Sequence, residues 1–256
     1  MNDASVRPVS GEVRVLPLAG IPELEEGDDL AGLLAESAIA MGGLEDGDVV
    51  VVVQKAVSKV EGRIVRLGEV EPSDRARELA GDEGDPRRVE AILRESRRIV
   101  RSRPPLLIVE TRHGFVCASA GVDLSNAKGP DTVVLLPVDP DASARALRDG
   151  LSQLTGTAVG VIVSDSFGRP FRQGTTDVAL GVAGLEALRD LRGVRDAAGY
   201  ELHTTQIAVA DEIAGAAELV LGKTRGVPAA VVRGVAALGD GCGVDLLMPP
   251  ERDLFH

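Results

Sequence analysis

The chain of 256 residues has no tryptophan, one tyrosine and four phenylalanines, so aromatic stacking is not its main means of holding a ligand. Its two cysteines, Cys117 and Cys242, lie far apart and form no Cys-x-x-Cys pair. That excludes a disulfide framework and a structural zinc site, points to a reduced cytoplasmic setting, and reads both thiols as small buried hydrophobes. Positive charge is short as well: 28 Lys and Arg against 40 Asp and Glu give a formal net charge of -12. Such a field repels nucleic acid and anionic membrane alike, so a phosphate ligand has to be met by local positive charge or by a metal. No apolar run is long enough to cross a bilayer, and Met1 is followed by polar residues, so a soluble protein with neither nucleic-acid nor membrane partners is expected.

What is present is a large stock of Ala, Val and Leu, enough for a core in one domain over residues 1–256 or in two lobes. Strands are expected at Val13–Leu18 and Asp48–Val53. A helix capped by Asp28 and Asp29 runs between them and stops at Gly42-Gly43. Residues Ala19–Leu24 read as a Gly/Pro-punctuated connector. Past the second strand comes Gln54-Lys-Ala-Val-Ser-Lys59. Its two lysines suit phosphate contact, and lysines at a sheet edge equally well discourage aggregation. Pro72–Arg103 reads as an amphipathic helical stretch with an arginine-rich outer face, solvated or turned to substrate.

The densest chemistry is Val161-Ile-Val-Ser-Asp-Ser-Phe-Gly-Arg-Pro-Phe-Arg-Gln-Gly-Thr-Thr-Asp177. A β-branched run bounded by Gly and Pro is a buried strand, and its end would deliver Ser164, Asp165 and Ser166 to a sheet edge, where open sheets bind ligands. Oxygen donors suit Mg2+ or Mn2+, and Arg169 and Arg172 suit anionic oxygens. A single Asp at a strand end is more often a turn cap; the crowding of three oxygen donors and two arginines favours a site here.

A second concentration follows Leu106, where two short strands flank a His113-Gly114 turn and lead to Asp123, Ser125 and Asn126. If the fold sets Asp123 beside Asp165, the two can share one cation. His113 fits a base or a hydrogen-bonded turn residue. Further on, Asp139 caps a helix to about Leu154, and Asp211–Val220 forms an Ala-rich helix closed by Gly222. Gly222-Lys-Thr224 is not a P-loop, since the helix precedes it rather than follows.

Taken in order, Leu16-Pro-Leu-Ala-Gly-Ile-Pro-Glu23, Lys55-Ala-Val-Ser-Lys59 with Glu61-Gly62, Glu110-Thr-Arg-His-Gly-Phe-Val-Cys117, Ala120-Gly-Val-Asp-Leu-Ser-Asn126, Leu136-Pro-Val-Asp-Pro-Asp141, Ser164-Asp-Ser-Phe-Gly-Arg169 and Val209-Ala-Asp-Glu-Ile213 resemble the coenzyme F420-0:L-glutamate ligase family almost end to end. The resemblance implies an α+β (mixed α/β) fold of the F420 γ-glutamyl ligase kind, in an intertwined homodimer. It implies a GTP-dependent amide ligase that joins L-glutamate to coenzyme F420-0 through an acyl phosphate, with further γ-linked glutamates left open. Mg2+ or Mn2+ is the implied cofactor, with room for a monovalent cation such as K+. Carried over residue by residue, Ile21, Pro22, Glu23, Leu24, Gln54, Lys59 and Asn126 fall on GTP contacts, and Asp123, Asp165 and Ser166 on metal positions. Gln54 replaces a nucleotide-contacting Ser of relatives, Ser166 a Thr, and Lys223 a Gln near the second metal. Asp123 and Asp165 are the expected catalytic pair, with Arg169, Arg172 and His113 as substrate contacts. The chain ends at His256 without the flavin-binding domain that some relatives append, so no flavin chemistry is expected. The reading from a different class is a non-catalytic nucleotide- or deazaflavin-binding protein.

Overall fold

The structure, a computed structural model, describes residues 11–124, 129 and 131–254. In chain order its elements are β1 (Arg14–Leu18), α1 (Leu30–Ala40), β2 (Val49–Val53), α2 (Gln54–Val60), β3 (Ile64–Arg66), α3 (Asp74–Ala80), α4 (Pro86–Arg94), β4 (Ser96–Arg103), β5 (Leu106–Thr111), β6 (Val116–Ala118), β7 (Thr132–Val134), α5 (Pro140–Thr155), β8 (Gly160–Arg169), β9 (Arg172–Ala183), β10 (Arg189–Asp190), β11 (Gln206–Ile207), α6 (Val209–Leu221) and β12 (Ala229–Arg233). The mixed α/β class expected from the sequence is the one adopted.

The centre is a sheet in the order β1-β12-β2-β8-β9, in which β2 and β8 run parallel and the remaining pairs antiparallel. Strand β2 is five valines because it is covered on both faces. Val50 and Val52 pack with Leu34, Leu147 and Leu151 of α1 and α5, while Val49 and Val51 pack with Ile213, Ala214 and Ala217 of α6. Alternation by two residues thus feeds two cores, which is why the run is unbroken by polar residues.

The helix ends follow local chemistry. Asp29 accepts from the backbone N–H of Gly32, and Asp139 accepts from that of Ala142, each satisfying an orphan donor of the first turn. Helix α5 meets β9 so closely that a Cβ on Gly181 would stand 2.0 Å from the carbonyl oxygen of Pro140. Only glycine permits that approach.

A further core forms under β5, where Leu107 and Val109 pack with Ala76, Val89 and Ile92 of α3 and α4 and with Val133 of β7. Here the structure corrects the helical reading of Pro72–Arg103. The helix stops at Glu95, and Ser96–Arg103 form β4, paired with β5 in the sheet β4-β5-β6. The β-branched pair Ile99-Val100 favours a strand once Leu106–Thr111 is available to pair with it, a partner that helical periodicity does not reveal. Among the described residues, no helix is long and apolar enough to cross a membrane.

Candidate functional site

Open parallel strands leave a crevice beyond their carboxyl ends, and β2 and β8 do so together: their last paired residues are Val53 and Ser164. Contrary to the expectation that the strand ends at Ser164–Ser166, β8 continues to Arg169, paired with β9 after its pairing with β2 has ended at Ser164. The sheet narrows, while the strand persists. A β-bulge falls at the same place, since Val163 pairs with Gly181 and Ser164 with Ala179. Such a bulge re-aims the side chains that follow it.

The crevice is a cavity of about 350 Å³. Its walls come from separate segments: Ile21–Leu24 after β1, Gln54–Ala56 and Lys59 of α2, Ser164–Ser166 of β8 with Asp177 of β9, and Glu218 of α6 with Lys223 just beyond it. The connector Ala19–Leu24, bland by composition, therefore ends as a wall of the site. Segment Gly222–Lys223 also reaches it, although it is no P-loop.

Lys59 is buried at 8% exposure and its Nζ lies 2.5 Å from Glu23 Oε1, joining the first two walls. Gln54 is likewise buried; its Oε1 accepts from Ser58 Oγ at 2.9 Å, and its Nε2 has no hydrogen-bond acceptor among the described residues. A buried amide donor left open beside a cavity is costly unless a ligand oxygen takes it.

On β8, the hydroxyls of Ser164 and Ser166 donate to Asp177 at 3.1 and 2.6 Å, so one strand face carries a serine–carboxylate cluster. Asp165, between the two serines, lines the same cavity. Burial pushes its carboxyl up to about 7, and the negative charges of Asp177 and Asp123 push the same way; the backbone N–H of Ser166 and the Lys55 ammonium pull it back. Asp123, bridged to Val134 of β7, is joined to this corner through Lys55, whose Nζ lies 2.6 Å from Asp123 Oδ2. The Asp123 charge is the smallest of these influences on Asp165. Cys117 sits near enough for the Asp165 charge to act on its thiol, and burial, the larger cause, lifts that thiol to about 12.

Among the described residues, no three His, Cys, Asp or Glu side chains gather into a metal-holding set. Two carboxylates with neighbouring hydroxyls form a partial oxygen set instead, which fits Mg2+ or Mn2+ completed by phosphate oxygens and water. The donors fit the implied metal.

Not every expected residue reaches the cavity. Arg169 and Arg172 face each other at the far end of the β8–β9 hairpin, and Arg169 donates to the carbonyl of Gln173. Neither lines the cavity. His113 does not line it either; its Nε2 lies 2.9 Å from the carbonyl oxygen of Pro137 and its ring stacks on Phe115. A turn histidine tied to backbone explains those contacts without a role as base. Asn126 lies outside the described residues. Residues to which sequence reading gave no role but which the fold gathers here are Asp177 and Glu218; Lys55, read as a phosphate contact or an edge lysine, lines the cavity as well. Asp177 closed the dense stretch, and its spacing from Ser166 across a hairpin was the available signal; for Glu218 there was none.

The parallel-strand crevice thus gathers lysines, an open amide donor and carboxylates around one cavity. The sequence profile of the family described as F420-0:Gamma-glutamyl ligase matches residues 20–234, and the chain belongs to that family. It is 47% identical over 251 residues to the coenzyme F420:L-glutamate ligase of Methanopyrus kandleri, an alignment covering 95% of this chain and 98% of the relative. The protein of the same name from Methanothermobacter thermautotrophicus is 46% identical, with 95% and 99% covered. That from Archaeoglobus fulgidus is 43% identical over 246 residues, with 95% and 96% covered.

Proposed function

We propose that this protein ligates L-glutamate to coenzyme F420-0 at the expense of GTP, with Mg2+ or Mn2+ as its cofactor. The observation that carries the reading is the convergence of Ile21–Leu24, Gln54, Lys59, Asp165 and Ser166 on one cavity, with Asp123 tied to its rim through Lys55. These are the positions that the family resemblance marks for nucleotide and metal.

In this reading the GTP phosphates lie against Lys59 and the open Nε2 of Gln54, the nucleotide is held by Ile21–Leu24, and Asn126 adds a further contact. Lys59 supplies a point charge to phosphate oxygens after exchanging its partner Glu23, which is solvent-accessible and is readily given up. Asp123, Asp165 and Ser166 would hold the divalent cation, which when bound neutralises charge on the phosphate oxygens. The precursor's lactyl carboxylate oxygen attacks the γ-phosphorus; the bond to the β-γ bridging oxygen breaks, giving an acyl phosphate and GDP. Glutamate's amine then attacks the acyl carbon, inorganic phosphate leaves, and the amine proton passes to solvent. The protein's share is positioning and charge compensation by the residues that line the cavity.

The unit is a homodimer in this reading. The β8–β9 hairpin supports it: its far end projects, with Phe171 93% exposed, an arm of the kind a second copy covers. Arg169 and Arg172 belong to that arm, and a substrate role for them would be exercised there rather than in the cavity of their own chain.

Incubation with F420-0, glutamate, GTP and Mn2+ is expected to give a product heavier by one glutamyl residue and one GDP per addition. No glutamyl addition by folded, metal-loaded protein, or addition without GTP consumption, contradicts the reading. GTP binding without turnover would favour the non-catalytic binder.

A further inference from the structure

Lys55 is the second residue of α2, beside the end of β2, and its side chain is only 16% exposed. Its Nζ stands 2.6 Å from Asp123 Oδ2, a charge-assisted contact, while the side chain also lines the cavity. The corner it enters carries further carboxylates: the charges of Asp123 and Asp177 act on Asp165, and the Lys55 ammonium acts on it in the opposite sense. The other lysine of α2, Lys59, is engaged with Glu23. Lys223 lines the same cavity from the α6 side.

An ammonium and a divalent cation make the same electrostatic demand on a carboxylate, and two positive charges at one carboxylate repel each other, so each weakens the other's hold on Asp123. We propose that Lys55 is a placeholder cation, which holds the Asp123–Asp165 corner together before the metal arrives, competes with the metal for Asp123, and is released toward the cavity when the metal binds. A lysine fits such an exchange better than an arginine. Its charge is a compact point on a flexible four-carbon stem, so it can leave one oxygen for another without losing a planar bidentate pairing. The destination is the cavity that Lys55 already lines, where an anionic ligand oxygen would replace Asp123 as its partner. The inference rests on the reading that Asp123 and Asp165 hold a divalent cation, and it adds a charge that the metal must displace.

The test is Mn2+ titration of nucleotide-free protein, read as loss of the free-ion electron paramagnetic resonance signal, for wild type, Lys55→Met and Asp165→Asn. Lys55→Met is expected to bind Mn2+ more tightly by about tenfold or more, the scale on which one neighbouring charge shifts an equilibrium at a carboxylate. It is also expected to melt below wild type in chelator, with the gap closing on Mn2+ addition. Equal or weaker Mn2+ binding by Lys55→Met, beside a wild type that binds, overturns the placeholder role and leaves the metal site standing. Mn2+ uptake that is the same in Asp165→Asn as in wild type overturns the metal reading itself, and the placeholder with it. Wild-type protein supplies an arm that does not depend on the variant folding: acetic anhydride labelling of Lys55, mapped by mass spectrometry, is expected to rise when saturating Mn2+ frees the ammonium from Asp123. Unchanged labelling contradicts the release.

Discussion

Along a single β-hairpin, β8 and β9 pass from one environment to its opposite. Near the sheet, Ser164 is fully buried, Asp177 is 3% exposed and Asp165 lies deep enough for burial to lift its carboxyl to about 7. At the far end Arg169 and Arg172 stand in solvent on either side of Phe171, which is 93% exposed. In sequence the two groups look like one cluster of oxygen donors and arginines. The fold divides them because β2 stops at Val53, so beyond Ser164 the hairpin leaves the sheet and only its base stays walled by α2 and α6. Density of chemistry along the chain marks a neighbourhood, and burial selects which residues of it make the cavity.

If the base is the reacting end, its carboxylates should dominate function. Asp165→Asn keeps size and removes charge, and ligation is expected to fall by roughly 2.7–4 kcal/mol in transition-state stabilisation, about 10²–10³-fold in rate. Asp123→Asn should cost about the same, and the double variant little more, because the two act as one unit. Steady-state rates at limiting Mn2+ check this; additive losses would separate the two residues.

The same burial predicts a pH dependence in the metal-free protein. With its folded value raised to about 7, Asp165 binds its proton more tightly when folded than when unfolded. The stability it contributes is present below the ordinary carboxylate range and is lost as pH rises toward 7, at up to about 1.4 kcal/mol per pH unit. Melting curves in chelator should show that slope, and Asp165→Asn should flatten it.

Lys59→Ala should weaken GTP binding by about 1.5–3 kcal/mol, the range for a hydrogen bond to a charged group, with the fold retained, as calorimetry and circular dichroism can show. The smallest effect on the cavity is expected from the far end. Arg169→Ala with Arg172→Ala should leave GTP affinity within about twofold, since exposed charges away from a ligand act weakly, while sedimentation reports any loss of self-association. A large fall in GTP affinity with the dimer intact would erase the distinction between base and tip.

Much of this architecture can be read from the chain. Five consecutive valines require a strand covered on both faces, Asp29 and Asp139 start helices by accepting backbone donors, and the His113-Gly114 turn separates β5 from β6. These signals are local. Strand β4 could not be read, since Arg97–Arg103 alternate poorly and become a strand only through pairing with β5. The wall formed by Ile21–Leu24 has no composition signal of its own and was found through the family motif. The contact of Lys55 with Asp123 is made by the approach of α2 to the segment before β7, a long-range event that neither residue announces.

In the proposed function Asp123 and Asp165 hold a divalent cation against the nucleotide phosphates. Calorimetric titration of Mn2+ into wild type, Asp123→Asn and Asp165→Asn, each with and without GDP, tests it most directly. Saturable binding by wild type that tightens when GDP is present, and loss of that GDP-dependent gain in each variant, is the expected result. Undiminished Mn2+ binding with the same GDP enhancement in both variants would contradict it.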